Sequence, residues 1–168
     1  MKWIDIKGGV VADTVYADGV LVAKDVSFTL PGISIQTADV QAMGTMSLAL
    51  VGLIDHMELS ITKVGVDLGL RRMCRLEKQN LEFRWVQEVL DAEGATSHEG
   101  CKAFVRTLPA QVPDLGVEVG SATEGETTYG VTRQQVFCGG EEIMCIDRLS
   151  QILRIDGKDY MTAINNLL

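Results

Sequence analysis

Alternation of apolar and polar residues recurs along this 168-residue chain, and that period restricts the fold more than any other feature. The segment MELSITKV places Met57, Leu59 and Ile61 on one side of an extended chain. The segment NLEFRWVQEVL does the same with Leu81 and Phe83. A side-chain period of two is typical of half-buried strands. Strands with one polar face indicate an antiparallel sheet.

Two segments depart from the alternation and have helical spacing instead. Val66–Lys78 spaces its apolar side chains at helical intervals, with Asp67 as an N-cap or first-turn acid. At the end of the chain, Asp159 can cap a second, short helix. The chain is therefore predicted to be mainly β, a barrel or sandwich of antiparallel strands with one flanking α-helix. We expect a single domain over residues 1–168.

Two stretches lack a clear period and are expected to lie outside the sheet. Residues Leu30–Gly44 contain a Pro-Gly turn signal and predict a long excursion at about residues 30–45. Residues Gly120–Gly130, GSATEGETTYG, contain almost nothing to bury, which predicts a mobile acidic loop. Pro109 and Pro113 mark a further break between strands.

Charge and hydropathy exclude two classes of partner. The chain has 23 acidic and 15 basic residues, a formal net charge of -8, so its field repels polyanions such as DNA. Asp5 and Lys7 interrupt the apolar residues of the N-terminus, unlike a secretory signal. The longest mostly apolar run, Met46–Ile54, is shorter than the roughly 20 residues of a membrane helix. We expect a protein that is soluble and made in a cytoplasm, with no membrane partner.

The sequence nominates no catalytic, cofactor-binding or metal site. His98 and Cys101 are neighbours in sequence, but Gly94–Gly100 is interpreted as a loop between strands, with a solvated histidine. Gly65 and Gly69 lack the lysine and hydroxyl residue of a phosphate-binding loop. We therefore predict that the protein is not an enzyme and that it carries no cofactor and no metal.

A β-hairpin is predicted around Gly139-Gly140, because both glycines tolerate the positive φ of a tight turn. In that register Cys138 lies opposite Glu141, and Cys145 lies opposite Gln134. The two cysteines share a face but are separated along the ladder by roughly 13 Å, beyond the roughly 7 Å limit for a disulfide. Free thiols also fit a reducing compartment, so we expect no disulfide.

The hairpin and the residues after it resemble a known family. Residues 132–168 contain a polar strand, a short turn, an acid-rich strand ending at Ile146-Asp147, a further strand, the Asp156-Gly157 turn and a brief terminal segment. This order resembles the C-terminal pattern of the major tail tube proteins of contractile-tailed phages, which R-type bacteriocins share. Upstream, FTLPGISIQTADVQAMGTMSLALVGLIDHMELSITKVG resembles the family's Leu-Pro segment, its excursion and its Asp-x-Met-Glu strand.

The resemblance implies a tail-tube-like fold and a structural role. Six subunits would form a ring, and rings would stack into a hollow tube inside a contractile sheath. The expected partners are other copies of the chain, the tail sheath protein, and baseplate or initiator and terminator proteins. DNA or an effector would pass through the lumen without specific binding. The expected location is the tail tube of a virion assembled in the host cytoplasm; a phage and a bacteriocin-like particle both fit.

Two surfaces are expected to join the subunits. Between rings, the excursion has the necessary reach, because a long polar loop needs a partner. Its candidate contact residues are Pro31, Gly32, Gln36, Asp39, Gln41, Met43 and Gly44. Within a ring, strand edges of the hairpin are expected to extend the neighbouring subunit's sheet, which is β-augmentation. The candidates there are Gln134, Val136, Glu142 and Met144.

The residues alone also leave a different class of function open. The barrel-like number of strands fits a monomeric ligand-binding β-barrel, and His98 near Cys101 fits a minor thiol enzyme. A structural subunit and a thiol enzyme differ in one chemical property. A catalytic Cys101 would have a depressed pKa, whereas a structural thiol would not.

Overall fold

The computed structural model describes residues 4–168, which contain twelve strands and two short helices. The strands are β1 Ile6–Ala17, β2 Val20–Lys24, β3 Ser27–Thr29, β4 Ile35–Gln41, β5 Thr45–Ile54, β6 Glu58–Val64, β7 Gln79–Leu90, β8 Thr96–Pro109, β9 Glu124–Cys138, β10 Glu141–Asp147, β11 Ile152–Ile155 and β12 Lys158–Asp159. The helices are α1 Leu68–Met73 and α2 Thr162–Asn165. This composition confirms the predicted mainly β fold.

Ten of the strands form one antiparallel sheet. Its order is β12-β11-β10-β9-β8-β7-β1-β2, and β6 joins it by pairing with both β3 and β9. The fifteen-residue β9 is the strand that connects the parts of this sheet, because it pairs with three other strands. Its first half pairs with β6, its second half pairs with β10, and β8 lies along the other edge. Strands β4 and β5 form a separate two-stranded sheet.

The core lies between the β3–β6 arm and the β7–β8–β9 region. Leu59 of β6 and Phe83 of β7 are completely buried, as the alternation predicted. Phe28 of β3 packs its ring 4.6 Å from the ring of Phe83 and 5.9 Å from that of Trp85. Because β3 pairs with β6 and not with β7, these ring contacts show that the arm folds over the sheet, as in a sandwich.

Helix α1 begins where the sequence predicted and ends earlier. The Asp67 carboxylate accepts a hydrogen bond from the Leu70 amide at 2.9 Å, which makes Asp67 the N-cap. The carbonyl of Met73 accepts a hydrogen bond from the Tyr129 hydroxyl at 2.8 Å. The buried Gln79 side chain donates to the carbonyl of Arg75 at 2.8 Å. These side chains satisfy carbonyls at the helix end, so the predicted extension to Lys78 does not form.

Two segments predicted as loops are strands. Residues Glu124–Gly130, assigned to the mobile acidic loop, pair with all of β6, and Tyr129 is completely buried. His98, assigned to a connecting loop, lies within β8 opposite Glu88 of β7. Glu124–Gly130 obtains its order from β6, a strand distant in sequence, whereas His98 lies in a strand that pairs with the preceding strand β7 in a hairpin. The irregular stretch lies earlier, between the end of β8 at Pro109 and the start of β9.

Both predicted two-residue turns are present. Gly139 and Gly140 have φ values of 58° and 85° and join β9 to β10. Asp156 and Gly157 have φ values of 51° and 75° and join β11 to β12. Positive φ at both central residues is what a primed hairpin turn requires. Asp159 accepts a hydrogen bond from the Met161 amide at 2.9 Å, but the N-cap of α2 is Met161 and no side chain caps the helix, so the cap predicted at Asp159 does not form.

Candidate assembly surfaces

The predicted excursion is a β-hairpin rather than a polar loop. β4 and β5 pair from Ile35 opposite Ile54 to Gln41 opposite Thr45, with a register shift near the base. At the tip, Met43 and Gly44 have positive φ values of 53° and 120°. The side chain of Ser47 donates to Asp39 at 2.7 Å across the strands. The sequence therefore located the departure from the main sheet but missed its strand structure.

The β4–β5 hairpin exposes apolar side chains along its length. The exposed large apolar residues of its strands are Val40, Met46, Leu48, Val51 and Leu53, and the side chain of Met43 at the tip is fully exposed. An isolated two-stranded hairpin is marginally stable in water. Apolar side chains in such a patch mark a surface that binds another molecule.

The predicted stacking residues lie at different places on this hairpin. Gln36, Asp39 and Gln41 are exposed on β4, and Met43 and Gly44 form the tip. The other two residues precede the hairpin. Gly32 is exposed there, whereas Pro31 is buried at the base and has little surface to offer a partner.

A few contacts hold the base of the β4–β5 hairpin against Arg148 and helix α2. The guanidinium of Arg148 donates to the carbonyl of Ile54 at 3.1 Å. A Cβ built on Gly52 would lie 3.1 Å from the Met161 sulfur and 3.3 Å from Ile164 Cδ1. Helix α2 therefore packs directly on the backbone of β5 at Gly52, which leaves the outer part of the hairpin projecting.

The β9–β10 hairpin does not offer the free edge that was predicted for it. Around Gln134 and Val136, β9 pairs with β8 on one side and β10 on the other. β10 in turn pairs with β11. Gln134 and Val136 are buried, and Met144 packs against the core. Pairing within the chain therefore leaves no free edge for β-augmentation at Gln134, Val136 and Met144, whereas Glu142 pairs with β9 only, since β11 begins to pair at Met144.

A β-bulge between Glu142 and Met144 also changes the predicted register. Cys138 lies opposite Glu141 as expected, but Cys145 lies opposite Gln135 and not Gln134. A bulge inserts one extra residue, so side chains beyond it change face. Cys138 and Cys145 consequently lie on opposite faces of the sheet rather than on a shared one.

The open face of the sheet carries paired charges. The Arg154 guanidinium hydrogen-bonds to Glu142, and with the Gln135 amide it holds the pKa of the Glu142 carboxyl below its usual range. The Arg133 and Arg106 guanidiniums lie 3.7 and 4.0 Å from the buried Asp147 carboxylate. Because these acids have basic partners, the acidic excess of the chain is not concentrated here.

A strand edge that the sequence did not nominate is open in β1. Its first part pairs with β7, whereas β2 covers the other edge only from Thr14 onward. Ile6, Val10 and Val11 are exposed on this part of the strand. An uncovered edge with apolar side chains is a template for pairing with another chain. The sequence feature that could have indicated this open edge is the segment VVADTV, whose Val10 and Val11 are exposed.

The thiol chemistry considered from the sequence does not match the geometry. His98 is exposed, whereas Cys101 is buried three residues later in the same strand, and strand alternation directs such side chains to opposite faces. Burial and the adjacent Cys138 thiol raise the pKa of Cys101 to about 12. A catalytic cysteine needs the opposite shift. Within residues 4–168, no group of three or more His, Cys, Asp or Glu side chains is placed to hold a metal ion.

The described part of the chain therefore has an antiparallel sheet, a projecting apolar hairpin and a first strand with one open edge. Residues 10–168 match the family described as phage tail tube protein FII. The chain belongs to this family and is a structural component of a phage-type tail. The resemblance that the sequence carried is thereby confirmed.

The chain also shows a distant similarity to a solved structure. A chain in a cryo-EM structure of the anti-feeding prophage baseplate, 6-fold symmetrised, is 13% identical and has a TM-score of 0.41. The match covers 84% of this chain and 99% of that one. No curated protein matches the chain. Neither helix in the described part of the chain is long and apolar enough to cross a membrane.

Proposed function

We propose that the protein is the subunit of a tail tube, in which six copies form a ring and rings stack into a hollow conduit inside a contractile sheath. The observation that carries this proposal is the family match over residues 10–168. The projecting β4–β5 hairpin and the open edge of β1 support it, because they supply one surface for contact between rings and one for contact within a ring.

Contacts between rings are assigned to the β4–β5 hairpin. Met46 and Leu48 are both 46% exposed and are separated by one residue, so they point to one side of β5. Covering such side chains in the next ring would stabilise both the hairpin and the stack. Gln36, Asp39 and Gln41 would supply polar contacts around them. The bare tip at Met43 and Gly44 would enter the neighbouring ring.

Contacts within a ring are assigned to the edge of β1 in place of β9 and β10. Residues 6–12 present backbone donors and acceptors along the edge that β2 leaves uncovered. An edge strand of the adjacent copy would satisfy these groups and continue the sheet around the ring. Glu142 remains a candidate for contact through the open face, since its side chain is only partly buried.

The conduit would pass DNA, or an effector in a headless particle, without gripping it. The net charge of -8 supports this part of the proposal, because a negative wall repels phosphates. The tail sheath protein would surround the tube, and baseplate or initiator and terminator proteins would bind its two ends. Assembly would take place in the host cytoplasm before release of the virion.

Electron microscopy of the purified chain tests the proposal. Rings or tubes about ten nanometres wide are expected, on the scale of six domains of this size. The double variant Met46→Ser/Leu48→Ser should form single rings but no stacks. The matched control, Val117→Ser/Val119→Ser, also replaces two exposed apolar residues, which lie outside every strand and should not affect stacking.

Two outcomes would count against these assignments. A chain that stays monomeric at high concentration, even with its sheath and initiator proteins, contradicts the tube. Unaltered stacking by the Met46→Ser/Leu48→Ser variant contradicts only the role of the hairpin.

A further inference from the structure

Two cysteines that are distant in sequence face each other across adjacent strands. Cys101 of β8 is the direct register partner of Cys138 of β9, and their sulfur atoms are 3.2 Å apart. The Gly139 amide donates to the Gly100 carbonyl at 3.1 Å, so that neighbouring pair is the hydrogen-bonded one. Cys101 and Cys138 therefore occupy a non-hydrogen-bonded position, where side chains of an antiparallel pair approach most closely.

We propose that Cys101 and Cys138 are a redox modification site, at which thiol exchange with a small-molecule disulfide forms an intrachain disulfide between β8 and β9. The backbone geometry suits the bond. Non-hydrogen-bonded pairs have α-carbons about 4.5 Å apart, within the range that disulfides span. The two sulfurs need to approach by about 1.2 Å from their 3.2 Å separation to reach bonding distance.

The surroundings give the two thiols different parts in the exchange. Cys138 is partly exposed and directly precedes the Gly139-Gly140 turn, so an external disulfide reaches it first. The Gln87 amide donates to the Cys138 sulfur at 3.5 Å, which orients the thiol. Cys101 is buried behind it, and burial raises its pKa, so it is a poor first attacker. Its proximity to Cys138 nevertheless makes it the natural resolving thiol.

Oxidised glutathione can serve as the small disulfide in this exchange. The Cys138 thiolate attacks one glutathione sulfur, the glutathione S–S bond breaks, and one glutathione thiolate leaves with the electron pair. Cys101 then loses its proton to solvent and attacks the Cys138 sulfur, which expels the second glutathione. Two protein thiols are oxidised by two electrons, and one oxidised glutathione becomes two reduced glutathiones that take up the two protons.

Thiol counting on the full-length chain tests the proposal. The reduced protein has four free cysteines. Incubation with oxidised glutathione should reduce the number of thiols titrated after unfolding to two, and peptide mapping without reductant should join Cys101 to Cys138. The cross-link should raise the melting temperature by about 5–10 °C, because it restricts the unfolded chain.

Variants separate the two parts of the exchange. Cys101→Ser should accumulate a glutathione adduct at Cys138, whereas Cys138→Ser should leave Cys101 largely unmodified. The control Cys74→Ser/Cys145→Ser should form the same cross-link as the parent chain. A folded parent chain that keeps four thiols, or that cross-links another pair or two chains, overturns the proposal without bearing on tube assembly. These measurements on the parent chain remain decisive if a variant fails to fold.

Discussion

The body of the sheet and the β4–β5 hairpin stand at opposite extremes of burial within one chain. Leu59 and Phe83 in the body are completely buried, whereas Leu48 and Leu53 on the hairpin are about half exposed. Both regions use the same apolar residue types in strands. The difference is that the body finds its covering partner in the same chain and the hairpin does not. We infer that one copy is sufficient to fold the body, while the hairpin is completed only in an assembly.

The largest expected effect comes from making the same substitution in both regions. Leu59→Ala should lower the free energy of unfolding of the subunit by about 2–5 kcal/mol, because it leaves a cavity in the core. Leu48→Ala should change it by less than about 0.5 kcal/mol, because the side chain is exposed in the single copy. Urea unfolding of the dilute subunit measures both. Assembly, followed by sedimentation, should be impaired by Leu48→Ala.

This comparison would fail if Leu48→Ala destabilised the dilute subunit as much as Leu59→Ala does. The hairpin would then belong to the same cooperative unit as the body. Equal unfolding midpoints for the parent chain and Leu48→Ala, together with fewer assembled particles, are the expected pattern.

A medium effect is expected where helix α1 meets β2 in the body. A Cβ built on Gly69 would lie 2.0 Å from the carbonyl oxygen of Val22, a backbone atom that has little freedom to move. Gly69→Ala should therefore lower the free energy of unfolding by about 1–3 kcal/mol, as overpacking does. Gly116→Ala is the control, since a Cβ added to Gly116 would have no neighbouring atom within 4 Å. Equal thermal stability of the two variants would show that α1 is free to shift away from β2.

The smallest effect concerns the N-cap of α1 and depends on pH. The Lys63 ammonium, 2.8 Å away, and the Leu70 amide lower the pKa of Asp67 in the folded chain. A carboxyl whose pKa is lowered by folding stabilises the folded state at pH values above its unfolded-state pKa. This stabilisation is lost as the pH falls through the folded-state pKa of the same carboxyl. Asp67→Asn keeps a capping oxygen but removes the charge.

Asp67→Asn should accordingly cost no more than about 0.5–1 kcal/mol at pH 7, because solvent screens this half-exposed ion pair, and progressively less as the pH falls below the usual pKa of a carboxyl. Denaturant unfolding across this pH range provides the measurement. The substitution Asp114→Asn, at an exposed position outside every strand, is the control for the removal of one carboxylate. A cost that did not decline in the acid range would mean that packing, and not the charge, is what Asp67 contributes.

Local features of the fold could be predicted from the sequence. Met57, Leu59 and Ile61 are buried together because strand alternation needs no knowledge of the partner strand. The Gly139-Gly140 turn was predictable because few residues other than glycine adopt two consecutive positive φ values at low cost. Asp67 was recognisable as a cap because the acceptor and the amides that it serves are close in sequence.

Features that depend on distant pairing were not predictable. Glu124–Gly130 is polar on one side and becomes a strand only because β6 lies beside it. The β10 bulge moved Cys145 to the other face, since one inserted residue reverses every side chain beyond it. The contact of Cys101 with Cys138 depends on the β8–β9 register, which the two sequence segments do not specify individually.

Only part of the candidate assembly surfaces could be predicted, because strand edges also depend on distant pairing. The sequence located the departure near Leu30, and the exposed Gln36, Asp39 and Gln41 stay candidates for ring stacking. It placed Gln134 and Val136 on an edge, although pairing on both sides of β9 can only be seen once the sheet order is known. The open edge of β1 was missed because its exposure depends on where β2 ends.

The position of β9 in the chain sets a delay during synthesis. β6 ends at Val64, and the strand that covers it begins only at Glu124. At translation rates of about 5–20 residues per second, β6 waits about 3–12 s for its partner to emerge. The β4–β5 hairpin is made before β6, and its outer part acquires no cover from the rest of the described chain. Nascent subunits therefore expose the apolar side chains of this hairpin from early in translation, when contact with other unfinished chains leads to aggregation.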